Sequence, residues 1–208
     1  MALTSARIRC PRLLPLVAIG VFMSAGAGCE DRDASAPAST ETAGIESANS
    51  TADGAAVTAA DVQFVDRSAF DSFLAEQEGK VVFVDYWATW CGTCKEQFPH
   101  TVELQEKFGE QGLVVVAVSL DDPTDENRQA VVDFLNSKGF ASYAFIAQGT
   151  DEEDLYETFE IGIAIPHYQL YDQQGQLAQR FVFGDPTASS PTPEEIEQAV
   201  AKLLAGDS

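Results

Sequence analysis

The sequence predicts an α/β protein with a mixed central β-sheet and helices on both faces, on three observations. Val81 to Val84 and Leu113 to Leu120 are apolar, β-branched runs without alternation, the pattern of strands covered on both sides. Segments with helical spacing alternate with the strand-like runs. The order closes with two strands flanking the turn Asp172-Gln173-Gln174-Gly175, which suggests an antiparallel hairpin, and then a helix.

Residues 1–28 read as an export signal: Arg7, Arg9 and Arg12 give a basic start, Leu13 to Met23 is an apolar run interrupted by Pro15, and small residues follow. The run is shorter than the roughly 20 residues a spanning helix needs. Ala25-Gly26-Ala27 fits a cleavage site that would release a soluble protein. Gly26-Ala27-Gly28-Cys29 resembles a bacterial lipobox with Gly26 in place of the usual aliphatic, and predicts a lipid on Cys29. Residues 29–60 are dominated by Ala, Ser, Thr, Gly and acidic residues, too poor in large apolar side chains to fold, and read as a flexible tether. The folded domain is expected over residues 61–208.

Within it, Val62 to Val65 is a short strand, and Ser68 to Glu78 a helix with Phe70, Phe73 and Leu74 on one face and Gly79 as its stop. A strand over 80–86 leads into a helix that starts at Cys91-Gly92-Thr93-Cys94 and runs to about Phe108, where Pro99 removes one N–H and predicts a kink. After the strand Leu113 to Leu120 come a helix from Asp125 to Lys138 closed by Gly139, a strand Tyr143 to Ala147, and a short acidic helix Asp151 to Phe159. His167 to Tyr171 and Leu177 to Phe183 form the hairpin. Thr192 as N-cap, Pro193 at N1 and Glu195 completing a capping box announce the last helix, with Ile196, Val200, Leu203 and Leu204 on its apolar face.

The 208 residues carry a net charge of −21, and from Cys29 onward 33 acidic residues face nine basic ones. Such a surface repels nucleic acid and anionic lipid. It serves solubility, or offers a docking face to a basic protein partner. Of four cysteines, Cys10 and Cys29 fall in the leader region, leaving Cys91 and Cys94. A disulfide between residues three apart closes a tiny loop and stabilises by only about 2 kcal/mol, which suits a redox switch better than a staple. Structural zinc would want a second Cys/His pair, and His100 and His167 do not make one at a familiar spacing. No metal and no other cofactor is expected.

Cys91 at a helix N-terminus faces unpaired N–H groups and the positive end of the macrodipole, which favour an anion and lower a thiol's pKa. Asp85, six residues earlier, lies in a strand that should be buried, and burial raises a carboxyl's pKa. Ordinary core or surface roles remain open for the neighbours: Phe98, Phe108 and Phe181 read as core, Lys95 and His100 as surface helix residues.

The segment Val84-Asp85-Tyr86-Trp87-Ala88-Thr89-Trp90-Cys91-Gly92-Thr93-Cys94-Lys95 is similar to the thioredoxin active site along its whole length. Pro99 lies where that superfamily kinks the helix, and Ile165-Pro166 before a strand resembles its cis-proline. Cys94 and Pro166 are 72 positions apart, longer than in thioredoxin, and the extra length carries the helix 125–138 and the strand 143–147. That central αβ insertion, the export signal and Phe98-Pro99 resemble the TlpA/ResA-like branch of exported thiol–disulfide oxidoreductases, over residues 61–206. Gln97 and Asp85 depart from the Glu and Asn of many ResA-like proteins, and His167 stands where a Thr is common.

The resemblance implies a thioredoxin-like three-layer fold and a set of roles. Cys91 attacks a substrate disulfide, Cys94 resolves the mixed disulfide, and Asp85 relays the proton from Cys94. Ile165 and the cis-Pro166 pair with an extended substrate segment, and Trp90 offers an apolar contact beside the nucleophile. The uncharged Gly92-Thr93 pair predicts a couple nearer thioredoxin's about −270 mV than DsbA's about −120 mV. The expected activity is reduction of protein disulfides, with electrons from a membrane partner because no nucleotide motif is present. The alternatives are a disulfide oxidase or isomerase, and a non-catalytic thioredoxin-fold binding module.

Overall fold

The computed structural model describes residues 56–58, 61–162, 164–184 and 189–206. The expected signal peptide and Cys29 lie outside them. Their elements run β1 (Val62–Val65), α1 (Arg67–Glu76), β2 (Val81–Trp87), α2 (Gly92–Phe108), β3 (Leu113–Ser119), α3 (Asp125–Lys138), β4 (Tyr143–Ala147), α4 (Glu152–Thr158), β5 (His167–Tyr171), β6 (Leu177–Val182) and α5 (Pro193–Leu204). A 3-10 turn over Gly109–Gln111, which the sequence pattern did not single out, joins α2 to β3.

The strands form one six-stranded sheet in the order β1-β4-β3-β2-β5-β6. β1, β4, β3 and β2 run parallel, while β5 is antiparallel to both β2 and β6. All seven residues of β2 and all seven of β3 are buried, as their unbroken apolar runs require. Side chains alternate across a strand, so β2 serves two cores. Val81, Phe83 and Trp87 face a cluster shared with α2, α3 and α5. Val82, Val84 and Tyr86 face one shared with α1 and α4. This is the three-layer mixed sheet with an inserted α3–β4 unit that the sequence predicts.

Local chemistry sets the element ends. The Asp66 carboxylate accepts the Ala69 N–H at 2.8 Å and starts α1 one residue before the expected Ser68. Gln77 caps its other end, and Gly79, at φ 88°, donates its N–H to Gln173 O of the β5–β6 turn at 2.8 Å. α2 continues through Pro99 as one helix. Thr192 and Glu195 exchange both capping-box bonds at the start of α5. Gly149 lets the loop after β4 press onto α4, since a Cβ there would sit 2.8 Å from Leu155 Cδ2.

Val57 falls within the segment read as a tether, yet it is 2% exposed and joins the core on the α2–α3–α5 side. Its carbonyl accepts a hydrogen bond from Asn136 Nδ2 at 2.8 Å. Among the described residues no helix is long and apolar enough to cross a membrane.

Candidate functional site

β2 delivers its C-terminal end to a short turn, Ala88-Thr89-Trp90, and Cys91 then N-caps α2. The Cys91 N–H donates to Ala88 O at 3.1 Å, and the Cys94 N–H points at Cys91 Sγ at 3.1 Å. The two cysteines form a disulfide with Cα atoms 5.3 Å apart. Cys94, 2% exposed, is enclosed by the core, whereas Cys91, 8% exposed, opens between exposed Gly92 and Thr93 and the ring of Trp90. Trp90 is 58% exposed, the one large apolar side chain left in solvent among the described residues.

A second wall comes from the chain entering β5. The Ile165–Pro166 peptide bond is cis, and Ile165 O lies 3.9 Å from Cys91 Sγ. Pro166 is buried and Ile165 half-buried. Cys91, Trp90, Ile165 and Pro166 are thus brought to one end of the sheet.

Asp85 sits beneath them in the middle of β2, 1% exposed. Its Oδ2 accepts the Thr101 hydroxyl at 2.6 Å, and its Oδ1 has no partner. Burial pushes the carboxyl up to about 7, against the pull of the Thr101 hydrogen bond. Thr101 follows Cys94 by two helical turns on the same face of α2, so the carboxylate and the buried sulfur share that layer. Tyr168 pairs with Asp85 across β2–β5, and burial, with the Asp85 charge adding to it, pushes its phenol up.

Two histidines behave differently from one another. His100, read from sequence as a surface residue, is buried. α2 packs against α3 and α5 as well as β3, so its covered stripe is wider than the sheet-facing side alone. His100 Nδ1 lies 3.6 Å from the Glu103 carboxylate. His167, directly after the cis-proline, is fully buried with neither ring nitrogen partnered. Burial pushes it down to about 4, with the Arg180 charge adding to the shift.

Two polar clusters were not singled out from the sequence. Asp121, at the end of β3, accepts the Thr89 N–H at 2.9 Å, the Thr89 hydroxyl at 2.5 Å and the Ser119 hydroxyl at 2.6 Å, and so fixes the turn that carries Trp90. Gln169 accepts from the Tyr86 and Tyr171 hydroxyls at 3.2 and 2.6 Å and donates to Phe159 O and Glu160 O at 2.9 and 3.1 Å. A lone Gln in the apolar run His167–Tyr171 was the available signal for the second. No sequence-local signal pairs Thr89 with Asp121.

A redox disulfide opening a helix at the end of a central strand, opposite a cis-proline, defines a thioredoxin-like thiol–disulfide oxidoreductase. Comparison with known proteins agrees. The chain belongs to the Redoxin family, which it matches over residues 52–200. It is 28% identical over 130 residues to the thiol-disulfide oxidoreductase ResA of Bacillus thuringiensis, covering 62% of this chain and 67% of that protein. The ResA of Oceanobacillus iheyensis is 34% identical over 136 residues, covering 64% of this chain and 56% of the relative. A crystal structure of a thioredoxin-like superfamily protein matches the fold at a TM-score of 0.53 and 19% identity, over 63% of this chain and 84% of that one. The protein is a TlpA/ResA-like member of the thioredoxin superfamily, and its activity is thiol–disulfide exchange.

Proposed function

We infer that the protein is exported, held at the membrane by a lipid on Cys29, and works as a reductase of protein disulfides. The observation that carries the reading is the asymmetry of the two sulfurs: Cys91 caps α2 beside exposed Trp90, and Cys94 lies enclosed behind it. Reduced Cys91, as thiolate at the helix N-terminus, attacks one sulfur of a substrate disulfide. That S–S bond breaks, its second sulfur leaves as a thiolate, and a mixed disulfide forms. Asp85 takes the proton from Cys94 as the latter attacks Cys91 Sγ. The Cys91–Cys94 bond forms and the remaining substrate thiolate departs, so two electrons have passed to the substrate. A carboxyl at about 7 exchanges protons readily near neutral pH. Ile165 and Pro166 hold the substrate backbone in extended form, and Trp90 covers its apolar side.

The oxidised protein must then be reduced by a membrane electron-transfer partner. The test is the Cys91–Cys94 potential, read by Trp fluorescence in glutathione or dithiothreitol buffers, with insulin reduction by wild type and Cys91→Ser alongside. A value near about −270 mV is expected, and a value above about −195 mV would reverse the direction of flow to that of an oxidase. Equal insulin rates for both proteins would leave only a binding module. For the anchor, Cys29→Ser is expected to move the protein from the membrane fraction to the soluble one.

A further inference from the structure

Resting on the thiol–disulfide reading, we propose that the groove walled by Trp90, the residue before Cys91, selects substrate segments carrying an arginine or lysine within about two residues of the reacting cysteine. Trp90 forms one wall of a cavity of about 410 Å³ that runs along the loops after β3 and β4 to the start of α4. Its other walls carry the carboxylates of Asp121, Asp122, Asp151 and Glu152, and among the described residues no Lys or Arg lines it. Asp151 and Glu152 also border a wider open groove of about 1030 Å³, where Arg180, the one cation among the described residues, is paired with Glu160.

Two of these acids also have local structural duties. Asp121 is consumed by its bonds to Thr89 and Ser119, and Asp151 caps α4 through the Asp154 N–H at 3.0 Å. The starts of α3 and α4 bring helix-dipole charge of at most about +0.5 each toward the groove. Four carboxylates exceed that by roughly three charges, so the cavity stays strongly negative. Asp122 and Glu152 are exposed, and among the described residues neither is paired with a Lys or Arg.

The aromatic wall is the independent observation. An exposed indole face attracts a guanidinium or ammonium through its quadrupole, and carboxylates within the same cavity complete the recognition of that cation. An anionic segment would meet like charge throughout. A neutral apolar segment would find Trp90 but would desolvate the exposed carboxylates of Asp122 and Glu152. The chain-wide excess of acidic residues draws the same class of partner from a distance.

The test is a single-turnover assay with the pre-reduced protein. Peptides with one cysteine, as its mixed disulfide with thionitrobenzoate, carry Arg, Gln or Glu two residues away. The enzyme dithiol becomes the disulfide while peptide thiol and coloured thionitrobenzoate are released, so atoms and electrons balance. The Arg peptide is expected to react about tenfold faster than the Gln peptide at low salt, the size expected of exposed ion pairs plus one cation–π contact, and the ratio should shrink with added salt. The double variant Asp122→Asn/Glu152→Gln is expected to bring the Arg:Gln ratio close to one, and Trp90→Ala to lower it.

A control pair, Glu76→Gln/Glu78→Gln, changes the net charge equally at exposed positions outside the groove and should keep the ratio. An Arg:Gln ratio of one in the wild type overturns the proposal and leaves the oxidoreductase reading standing, because the Gln peptide still reacts. A ratio lost equally in the control pair assigns the preference to overall charge and also overturns it. No thionitrobenzoate release from any peptide would refute the oxidoreductase reading itself.

Discussion

Replacing Asp85 by Asn should make the oxidised protein more stable, by a margin that grows as pH rises from about 4 to about 7. In the folded chain the carboxyl is raised from its ordinary 3.8 to about 7. Between those values the folded state therefore holds a proton that the unfolded chain has released, and stability falls as pH rises through the window. A shift of roughly three pH units is worth about 4 kcal/mol, felt in full above pH 7 and absent below pH 4. Asn keeps the size and can still accept the Thr101 hydroxyl, now at 2.6 Å from Oδ2. Asp85→Asn should thus gain up to about 4 kcal/mol at pH 8, about 10 °C in Tm for a domain of this size, and almost nothing at pH 4. The assay is urea unfolding of both proteins at half-unit steps from pH 4 to pH 8. The wild-type curve alone is a poor readout because His167 opposes it. Its folded value is lowered to about 4 from 6.5, so its contribution is present above pH 6.5 and lost as pH falls toward 4. At most about 3 kcal/mol of opposite slope nearly flattens the profile, and the difference between variant and wild type isolates Asp85. A difference that stays constant with pH would refute the placement of an uncompensated carboxyl in this core.

Asp85→Asn should also slow the resolving step, by about 100-fold or more at neutral pH, seen as mixed disulfide accumulating in quenched-flow with a disulfide-linked peptide. Cys94→Ser should stop the reaction at that mixed disulfide, so that intact mass gains one substrate half per chain, removed by dithiothreitol. Thr192→Ala breaks the capping box of α5 and should cost about 1 kcal/mol in urea unfolding with an unchanged reduction potential.

The parts of the fold that were legible are those specified by neighbours in sequence. α3 was bounded by Asp125, Lys138 and Gly139, which adopts the left-handed conformation at φ 71°, and α5 by its capping box. The unbroken apolar runs announced β2 and β3 because period and burial follow from side-chain order alone. What escaped depends on partners distant in the chain. Asp121 reaches Thr89 across 32 positions, and Gln169 reaches Tyr86 across 83. His100 is buried on a helix that packs against α3 and α5 as well as the sheet, neighbours that its own spacing does not encode. The start of α1 lies one residue before the expected Ser68 because the Asp66 carboxylate caps the helix through the Ala69 N–H.

The period-2 geometry of one strand separates chemistry from scaffolding. Asp85 points to the face that holds Cys94, Phe98 and Thr101, with one oxygen on the Thr101 hydroxyl and the other unpartnered. Tyr86, the next residue, points the other way and bonds Gln169, which holds the carbonyls of Phe159 and Glu160 just ahead of the cis-proline segment. Trp87, next again, returns to the first face and meets the Phe98 ring of α2 at a tilt, with centroids 5.2 Å apart. Three consecutive side chains of β2 thus tie the buried Asp85 carboxyl, the segment leading to the cis-proline and the cysteine helix to one rigid element. A one-residue slip of β2 against β3 or β5 would exchange the two faces and disrupt all three together. The complete burial of β2, with paired strands on both sides, is therefore a condition of the site's geometry as much as of the fold's stability.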